Sequence, residues 1–266
     1  MKADLHIHTK YSDGAYTVQE ILSFTKDLDY IAITDHDTFS GAKEAYNLNN
    51  TKTIVGIELS TDYYGESVHI LGYFRNLEDI EALEVLLVNQ QQNRINRAKL
   101  ISQKLKDIFN IEIAFDDISK PESITRGTIA DAIISKGYPY SRIEIFSKML
   151  GDGQPAYIPS TKLSTKAGIE VIKVNNGVAF LAHPILLKRT NILDIIKLGI
   201  DGIEAIYPLH NKRMEKQYRV LAKEHQLLIS GGSDFHDCND GLHGNIGSSY
   251  LSNNDLDKFL LRMGKD

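Results

Sequence analysis

Two histidines, His6 and His8, sit two residues apart in the apolar run Ala3–His8. A strand alternates its side chains between faces, so both imidazoles point the same way. The same spacing recurs far along the chain, where Asp234 and His236 follow Gly231-Gly232-Ser233. Between these pairs, His36 lies in Thr34-Asp35-His36-Asp37 at the end of an apolar run, and Glu58 ends the run Ile54-Val55-Gly56-Ile57. His69 lies in Val68-His69-Ile70-Leu71, and His183 in Phe180-Leu181-Ala182-His183-Pro184. Six of the nine histidines thus stand in or just after short β-type runs.

One histidine at a strand end is ordinary, a capping or hydrogen-bonded residue. Asp13, Asp35 and Asp37, taken singly, read as turn or N-cap residues, and Glu58 as a solvated strand end. Six histidines at equivalent ends of different strands are another matter. In a parallel barrel those ends converge on one mouth, and imidazoles and carboxylates gathered there repel or stay unsatisfied without a cation. With Asp13 the set offers imidazole and carboxylate but no thiolate, which suits Zn, Mn or Fe in a mixed nitrogen–oxygen shell. It exceeds the needs of one ion, so two or three ions bridged by Glu or Asp are expected. Three divalent ions balanced by Asp13, Glu58 and Asp234 carry about +3. Such a charge attracts a phosphate dianion more than a neutral amide. The ions also lower the pKa of bound water, so hydroxide forms at neutral pH and can attack phosphorus in line.

These residues need elements to position them. The runs Ala3–His8, Tyr30–Thr34, Thr53–Leu59, Val68–Phe74, Val178–Ala182, Gly202–Ile206 and Leu227–Ser230 alternate with helical stretches, which predicts βα units and a mainly parallel sheet. Thr17 and Glu20 form a capping box ahead of Val18, Ile21, Leu22 and Leu28. Further helices are expected over Lys166–Asn175, Asn191–Leu198 and Asn211–His225. The alternation breaks from about Leu77 to Thr165, too long for a simple connection. There the sequence predicts helices over Leu77–Asn110, Ile129–Lys136 and Ile143–Leu150. The expected organisation is a barrel domain of residues 1–76 and 166–266 with a helical insertion domain at 77–165. No GxGxxG loop follows the first strand, which disfavours a dinucleotide-binding sheet; His6-Ile7-His8 stands there instead and supports a barrel.

The 266 residues are 42% apolar, enough for a sizeable core, and the formal net charge of −5 offers no basic face for duplex DNA. Small or short anionic substrates fit better. The single cysteine, Cys238, cannot form an internal disulfide. With no apolar run of membrane-spanning length and no signal peptide, a cytoplasmic location and no membrane association are expected.

The segments DLHIHTKYSDG, AITDHD, GIELS, VHILGY, FLAHP and GGSDFH resemble the PHP family (polymerase and histidinol phosphatase) over nearly the whole chain. The resemblance implies an α/β fold, a distorted seven-stranded (β/α)7 TIM-like barrel with a trinuclear metal site. It also implies that His6, His8, Glu58 and Asp234 hold one ion, Glu58, His69 and His183 a second, and Asp13, His36 and His236 a third. The insertion after VHILGY is similar to that of bacterial phosphoesterases that remove the 3′-phosphate of nucleoside 3′,5′-bisphosphates or trim RNA from its 5′ end. That branch commonly carries Arg-Pro-His in the insertion, where this chain reads Arg126-Gly127-Thr128, and a basic residue after AHP, where Lys188 or Arg189 stands here.

Arg126 is therefore the first expected phosphate clamp, since guanidinium binds phosphate bidentately, with Lys188 and Arg189 beside it. Arg94 and Arg97 are more in keeping with solvated positions. Tyr207 and His210 follow the sixth strand; both are expected near substrate, His210 as proton donor to the leaving oxygen. Asp35 and Asp37 are expected to orient a metal-bound histidine or water. Cys238 reads as a bystander, and His225 and His243 carry no assignment. Hydrolysis of another small phosphomonoester such as AMP or histidinol phosphate, an amidohydrolase-type C–N hydrolysis, and a non-catalytic metal-stabilised module are the alternatives. Against the second, Glu58 and His69 stand where a bridging lysine would be needed.

Overall fold

The computed structural model describes residues 1–49, 51–114, 118, 124–239, 241 and 243–265. In chain order the elements are β1 (Lys2–Ile7), α1 (Val18–Phe24), β2 (Tyr30–Ile33), α2 (Ser40–Leu48), β3 (Thr53–Tyr63), β4 (Glu66–Phe74), α3 (Glu81–Phe109), α4 (Arg126–Ser135), α5 (Arg142–Ile145), β5 (Leu163–Ser164), α6 (Thr165–Val174), β6 (Val178–Leu181), α7 (Ile192–Ile196), β7 (Gly202–Ile206), α8 (Lys212–Glu224), β8 (Leu228–Gly231), β9 (Leu251–Ser252) and α9 (Asn253–Met263). They form two compact units, Met1–Val85 with Leu163–Asp266, and Leu86–Lys162.

All seven expected runs in the first unit are strands, joined by the two-residue β5 and β9. The sheet runs β8-β7-β6-β4-β3-β2-β1-β9, with β5 paired to β3. It closes almost completely, because Ile7 bridges Phe235 and the His8 N–H donates to the Phe235 carbonyl at 2.9 Å. This eight-strand path is not a sevenfold β/α repeat. β4 follows β3 directly and is antiparallel to both β3 and β6. The cause is local. Tyr63 pairs with Glu66 across Tyr64-Gly65, whose φ angles are +49° and +82°, the left-handed pair that a two-residue hairpin needs. Two residues can reverse a strand, whereas a parallel return takes a dozen or more.

One apolar cluster of the barrel holds Leu5, Leu71, Tyr73, Phe180 and Phe259. Tyr73, Phe180 and Phe259 pack ring against ring, with centroids 5.1–5.8 Å apart, and the Tyr73 hydroxyl donates to the Leu5 carbonyl at 2.9 Å. Each such fully buried ring contributes about 1.5–3 kcal/mol. On β3 Ile54 shares a face with Glu58, and on β4 Leu71 and Tyr73 share a face with His69. Those faces are therefore apolar below and polar at the mouth. Two helices fall outside the sequence expectations. α2 buries only Gly41, Ala42 and Ala45, too small to print an apolar period, whereas α9 has a plain stripe of Leu256, Phe259, Leu260 and Met263.

The second unit is helical and has its own core, including Ile101, Leu105, Ile129, Ile133, Met149 and Leu150. α4 begins at Arg126, three residues before the expected start, because Thr125 and Thr128 form a capping box. The expected helix over Ile143–Leu150 is α5 followed by a π-helical turn over Phe146–Leu150. No helix among the described residues is long and apolar enough to cross a membrane.

Candidate metal centre

Glu58 is the hub of the barrel mouth. One oxygen, Oε2, lies 3.2 Å from His6 Nε2, 3.1 Å from His8 Nε2 and 3.3 Å from His36 Nδ1. The other, Oε1, lies 2.9 Å from His69 Nδ1 and 2.8 Å from His183 Nε2. The antiparallel course of β4 makes this possible. His69 stands in the first half of its strand, opposite Ser60, so a reversed strand brings its beginning to the mouth where its neighbours bring their ends. The other carboxylates complete the ring. Asp234 Oδ1 is 3.2 Å from His6 Nε2 and 3.1 Å from His8 Nε2. Asp13 faces His236 at 3.3 Å and both His8 and His36 at 3.6 Å. All nine residues expected as ligands are thus brought together.

The arrangement fits divalent cations on two counts. With ion–ligand bonds of about 2.1 Å, neighbouring ligand atoms stand about 3.0–3.4 Å apart, close to the separations here. His36 Nδ1 and Asp234 Oδ1 are also buried with no well-formed hydrogen bond among the described residues, and buried polar atoms seldom go unpartnered. Between them, His6, His8, Glu58 and Asp234 offer one convergent set, His8, Asp13, His36 and His236 another, His36, Glu58 and His69 a third, and Asp234, His236 and His243 a fourth.

Charge binds the set even without ions. Burial opposes ionisation of Glu58 and Asp234, yet the surrounding imidazoles hold both carboxyls well below their usual range. Burial likewise disfavours protonated His8, but the adjacent Asp234 and Glu58 carboxylates push it up to about 10. His36, with burial dominant, is held down at about 4.

Two of the nine candidate ligands have unusual backbone. His183 and Asp234 have φ of +24° and +53°, outside the region favoured by residues with a Cβ. At 232 a glycine is required, since a Cβ there would stand 2.5 Å from the His6 nitrogen; Gly232 lets the chain leaving β8 pass against β1.

The strain at His183 is held by a residue the sequence reading missed. Glu204, fully buried on β7, accepts the His183 N–H through Oε2 at 2.7 Å, while its Oε1 lies 2.9 Å from His6 Nδ1. A proton held between Nδ1 and Glu204 leaves the His6 Nε2 lone pair facing the cluster. The signal was present: a glutamate inside the apolar strand Gly-Ile-Glu-Ala-Ile is out of place unless paired. Glu204→Gln, which keeps the volume and removes the charge, should weaken metal affinity or activity by about 10- to 100-fold. Metal per chain at graded free metal concentrations reads this out, and an unchanged binding curve would remove Glu204 from the centre.

The remaining candidates divide. Asp35, expected in catalysis, has both oxygens engaged: it accepts from Thr9 N and Oγ1 at 2.7 Å and from Ser12 Oγ at 2.6 Å. It thereby holds the turn that carries Asp13. Asp37 accepts the Ser60 N–H at 2.8 Å and donates its own N–H to the Glu58 carbonyl at 3.0 Å, pinning β3 beside His36. Tyr207 donates its hydroxyl to Asp234 Oδ2 at 3.0 Å. His210 Nδ1 is 2.9 Å from the Ala205 carbonyl, and its buried Nε2 finds no hydrogen bond among the described residues. Lys188 and Arg189 line a cavity of about 460 Å³ that His69 and His183 also line. Arg126 belongs to the second unit, where its guanidinium donates to Asp152 at 2.6 Å and the Leu150 carbonyl at 3.2 Å and lies over the Tyr157 ring. Arg97, in the same unit, donates to the Ile158 and Pro159 carbonyls. His243, unassigned from sequence, stacks on His236 and places Nε2 3.6 Å from Asp234; it follows no strand pattern that would have marked it.

The sequence matches the PHP domain model over residues 4–138. It is 30% identical over 249 residues to a 5′-3′ exoribonuclease of Haemophilus influenzae, covering 88% of this chain and 90% of that one. It is also 30% identical over 250 residues to a 3′,5′-nucleoside bisphosphate phosphatase of Chromobacterium violaceum, covering 88% and 86%. A solved structure from Bifidobacterium adolescentis, described as a candidate metal-dependent phosphoesterase, superposes with a TM-score of 0.72 at 26% identity, covering 98% of this chain and 96% of that one.

Proposed function

The chain belongs to the PHP domain family and is a metal-dependent phosphoesterase, and from that premise we propose that it hydrolyses nucleotide phosphate esters, either nucleoside 3′,5′-bisphosphates or the 5′ ends of short RNA. The observation that carries this reading is the convergence of five imidazoles on the two oxygens of Glu58, beside a cavity of about 460 Å³. That volume suits a nucleotide-sized ligand. In this reading His6, His8, Glu58 and Asp234 hold one divalent ion, Glu58, His69 and His183 a second, and Asp13, His36 and His236 a third, with Glu58 shared. The mixed nitrogen–oxygen donors suit Mn, Zn or Fe.

Bound ions supply an attacking nucleophile from water at neutral pH and offset the charge on phosphoryl oxygens. The chain's own groups do the rest. Glu204 and Asp35 fix His6, His183 and the Asp13 turn before substrate arrives, so little reorganisation is left to the reaction. Tyr207 orients Asp234 through its hydroxyl. His210 is assigned to the leaving oxygen through Nε2, because Nδ1 donates to the Ala205 carbonyl; donation from Nε2 requires the doubly protonated imidazolium, a form that burial disfavours and that acid pH populates. Lys188 is assigned to a substrate anion, and the barrel of residues 1–76 and 166–266 to the chemistry, with the 77–165 insertion as a separate domain.

A panel decides the substrate. Metal-loaded enzyme is given a nucleoside 3′,5′-bisphosphate, the matching 5′-monophosphate and a 5′-phosphorylated oligoribonucleotide. Turnover is expected to be highest on the bisphosphate or the RNA. Release of phosphate or nucleotide from none of them would end this reading.

A further inference from the structure

The wall of the cavity beside His69 and His183 is held by one carboxylate. Glu66, the first residue of β4, accepts the peptide N–H of Lys188 at 2.6 Å and of Arg189 at 3.1 Å through Oε1. Its Oε2 accepts Arg189 N at 3.1 Å, Thr190 N at 2.6 Å and Thr190 Oγ1 at 2.6 Å. Three successive peptide N–H groups turned inward form a nest, an anion site, and this nest is already filled by the chain's own carboxylate. These donors, the Thr190 hydroxyl first, hold the Glu66 carboxyl down at about 2.

The filled nest has two effects. It fixes the Lys188–Thr190 turn to the tip of the β3–β4 hairpin, reinforced by Arg189, whose guanidinium donates to the Gly65 carbonyl at 2.9 Å. It also decides which cation is left for a ligand. Arg189 is committed to Gly65, whereas exposed Lys188 has no ion-pair partner among the described residues and lines the cavity. Ala182, Leu186 and Leu187 give the same cavity an apolar wall.

We propose that Glu66 is a positioning residue that latches the Lys188–Thr190 turn onto the hairpin, so that Lys188 serves as the second anion-binding group of the cavity. It would take the distal charge of a phosphate ester carrying two anionic groups. This rests on the phosphoester reading above. It also separates two ester classes, since a monophosphate has nothing to offer Lys188 once its only phosphate is at the ions.

The test uses the full-length, metal-loaded enzyme with adenosine 3′,5′-bisphosphate and AMP. Two quantities are measured: the ratio of kcat/KM values, and by calorimetry the dissociation constants of the matching non-hydrolysable methylenephosphonates. Wild type should favour the bisphosphate by about tenfold, as one charge-assisted contact provides. Lys188→Ala and Glu66→Ala should both reduce that preference to below about threefold, mainly through KM and Kd. Glu66→Gln, which presents an amide to three N–H donors, should resemble Glu66→Ala. Lys188→Ala changes only an exposed side chain, so it keeps the test decisive if the Glu66 variants fold poorly. A wild-type preference retained in Lys188→Ala, or an equal loss for both ligands in folded Glu66→Ala, would overturn the latch. Absence of turnover of both esters and of a 5′-phosphorylated oligoribonucleotide by wild type would instead overturn the phosphoester reading.

Discussion

Glu58→Gln is expected to abolish turnover, with a fall on the order of 10³-fold or more. The carboxylate contacts imidazoles through both oxygens, Oε2 towards His6, His8 and His36 and Oε1 towards His69 and His183. Glutamine keeps the shape but offers one acceptor oxygen, one N–H donor pair and no charge. An ion held on the amide side would lose its ligand, and one held by the remaining oxygen would lose the charge that balances it. Losing about 4 kcal/mol of transition-state stabilisation, the scale at which bound ions act, corresponds to about 10³-fold. Metal per chain should fall with the rate. The fold should persist, because Asp234 remains to pair with His6 and His8. Turnover within tenfold of wild type at full metal loading would show that Glu58 is not the shared ligand.

Removing the ions from wild type should be nearly as damaging and reversible. Chelation is expected to stop turnover and lower Tm, with both restored by adding back one divalent ion at a time. A ligand that binds only the native state at 100 times its Kd contributes about 2.7 kcal/mol. At about 2–4 °C per kcal/mol for a chain of this size, each such ion accounts for about 5–10 °C. The stripped protein should stay folded, since the ligands pair among themselves. Verified metal removal that left both rate and Tm unchanged would deny the cluster its role.

The legible part of this site was its residue types. The spacing of His6 and His8 gives a common face from strand geometry alone, and the apolar runs before His36 and His183 place them just past strand ends, whereas Glu58, expected at a strand end, lies midway along the longer β3. Strand direction was harder. His69 reads as another strand-end ligand, yet it is an early residue of a reversed strand; Tyr64-Gly65 carried that information, being too short for anything but a hairpin. Glu204 and Glu66 were missed for a different reason. Each acts through backbone N–H groups far along the chain, His183 for one and Lys188 to Thr190 for the other, and no local pattern encodes a partner that only tertiary folding supplies. Arg126 illustrates the converse. Its type suggested a phosphate clamp, while its observed partners are Asp152, Leu150 and Tyr157 within the helical unit.

The bridge between Ile7 and Phe235 has a consequence for the order of assembly. The site draws on His6 early in the chain and on His236 late in it, so its contacts are among those of greatest sequence separation in the protein. Such contacts form late, because a long loop must close before they are rewarded. During synthesis the helical unit has its own core and can consolidate first, while the early histidines wait for the segment after β8. Ions held by Asp234 together with His6 and His8 would therefore be retained only by a chain that has come full circle, and metal content would become a chemical record of completed folding.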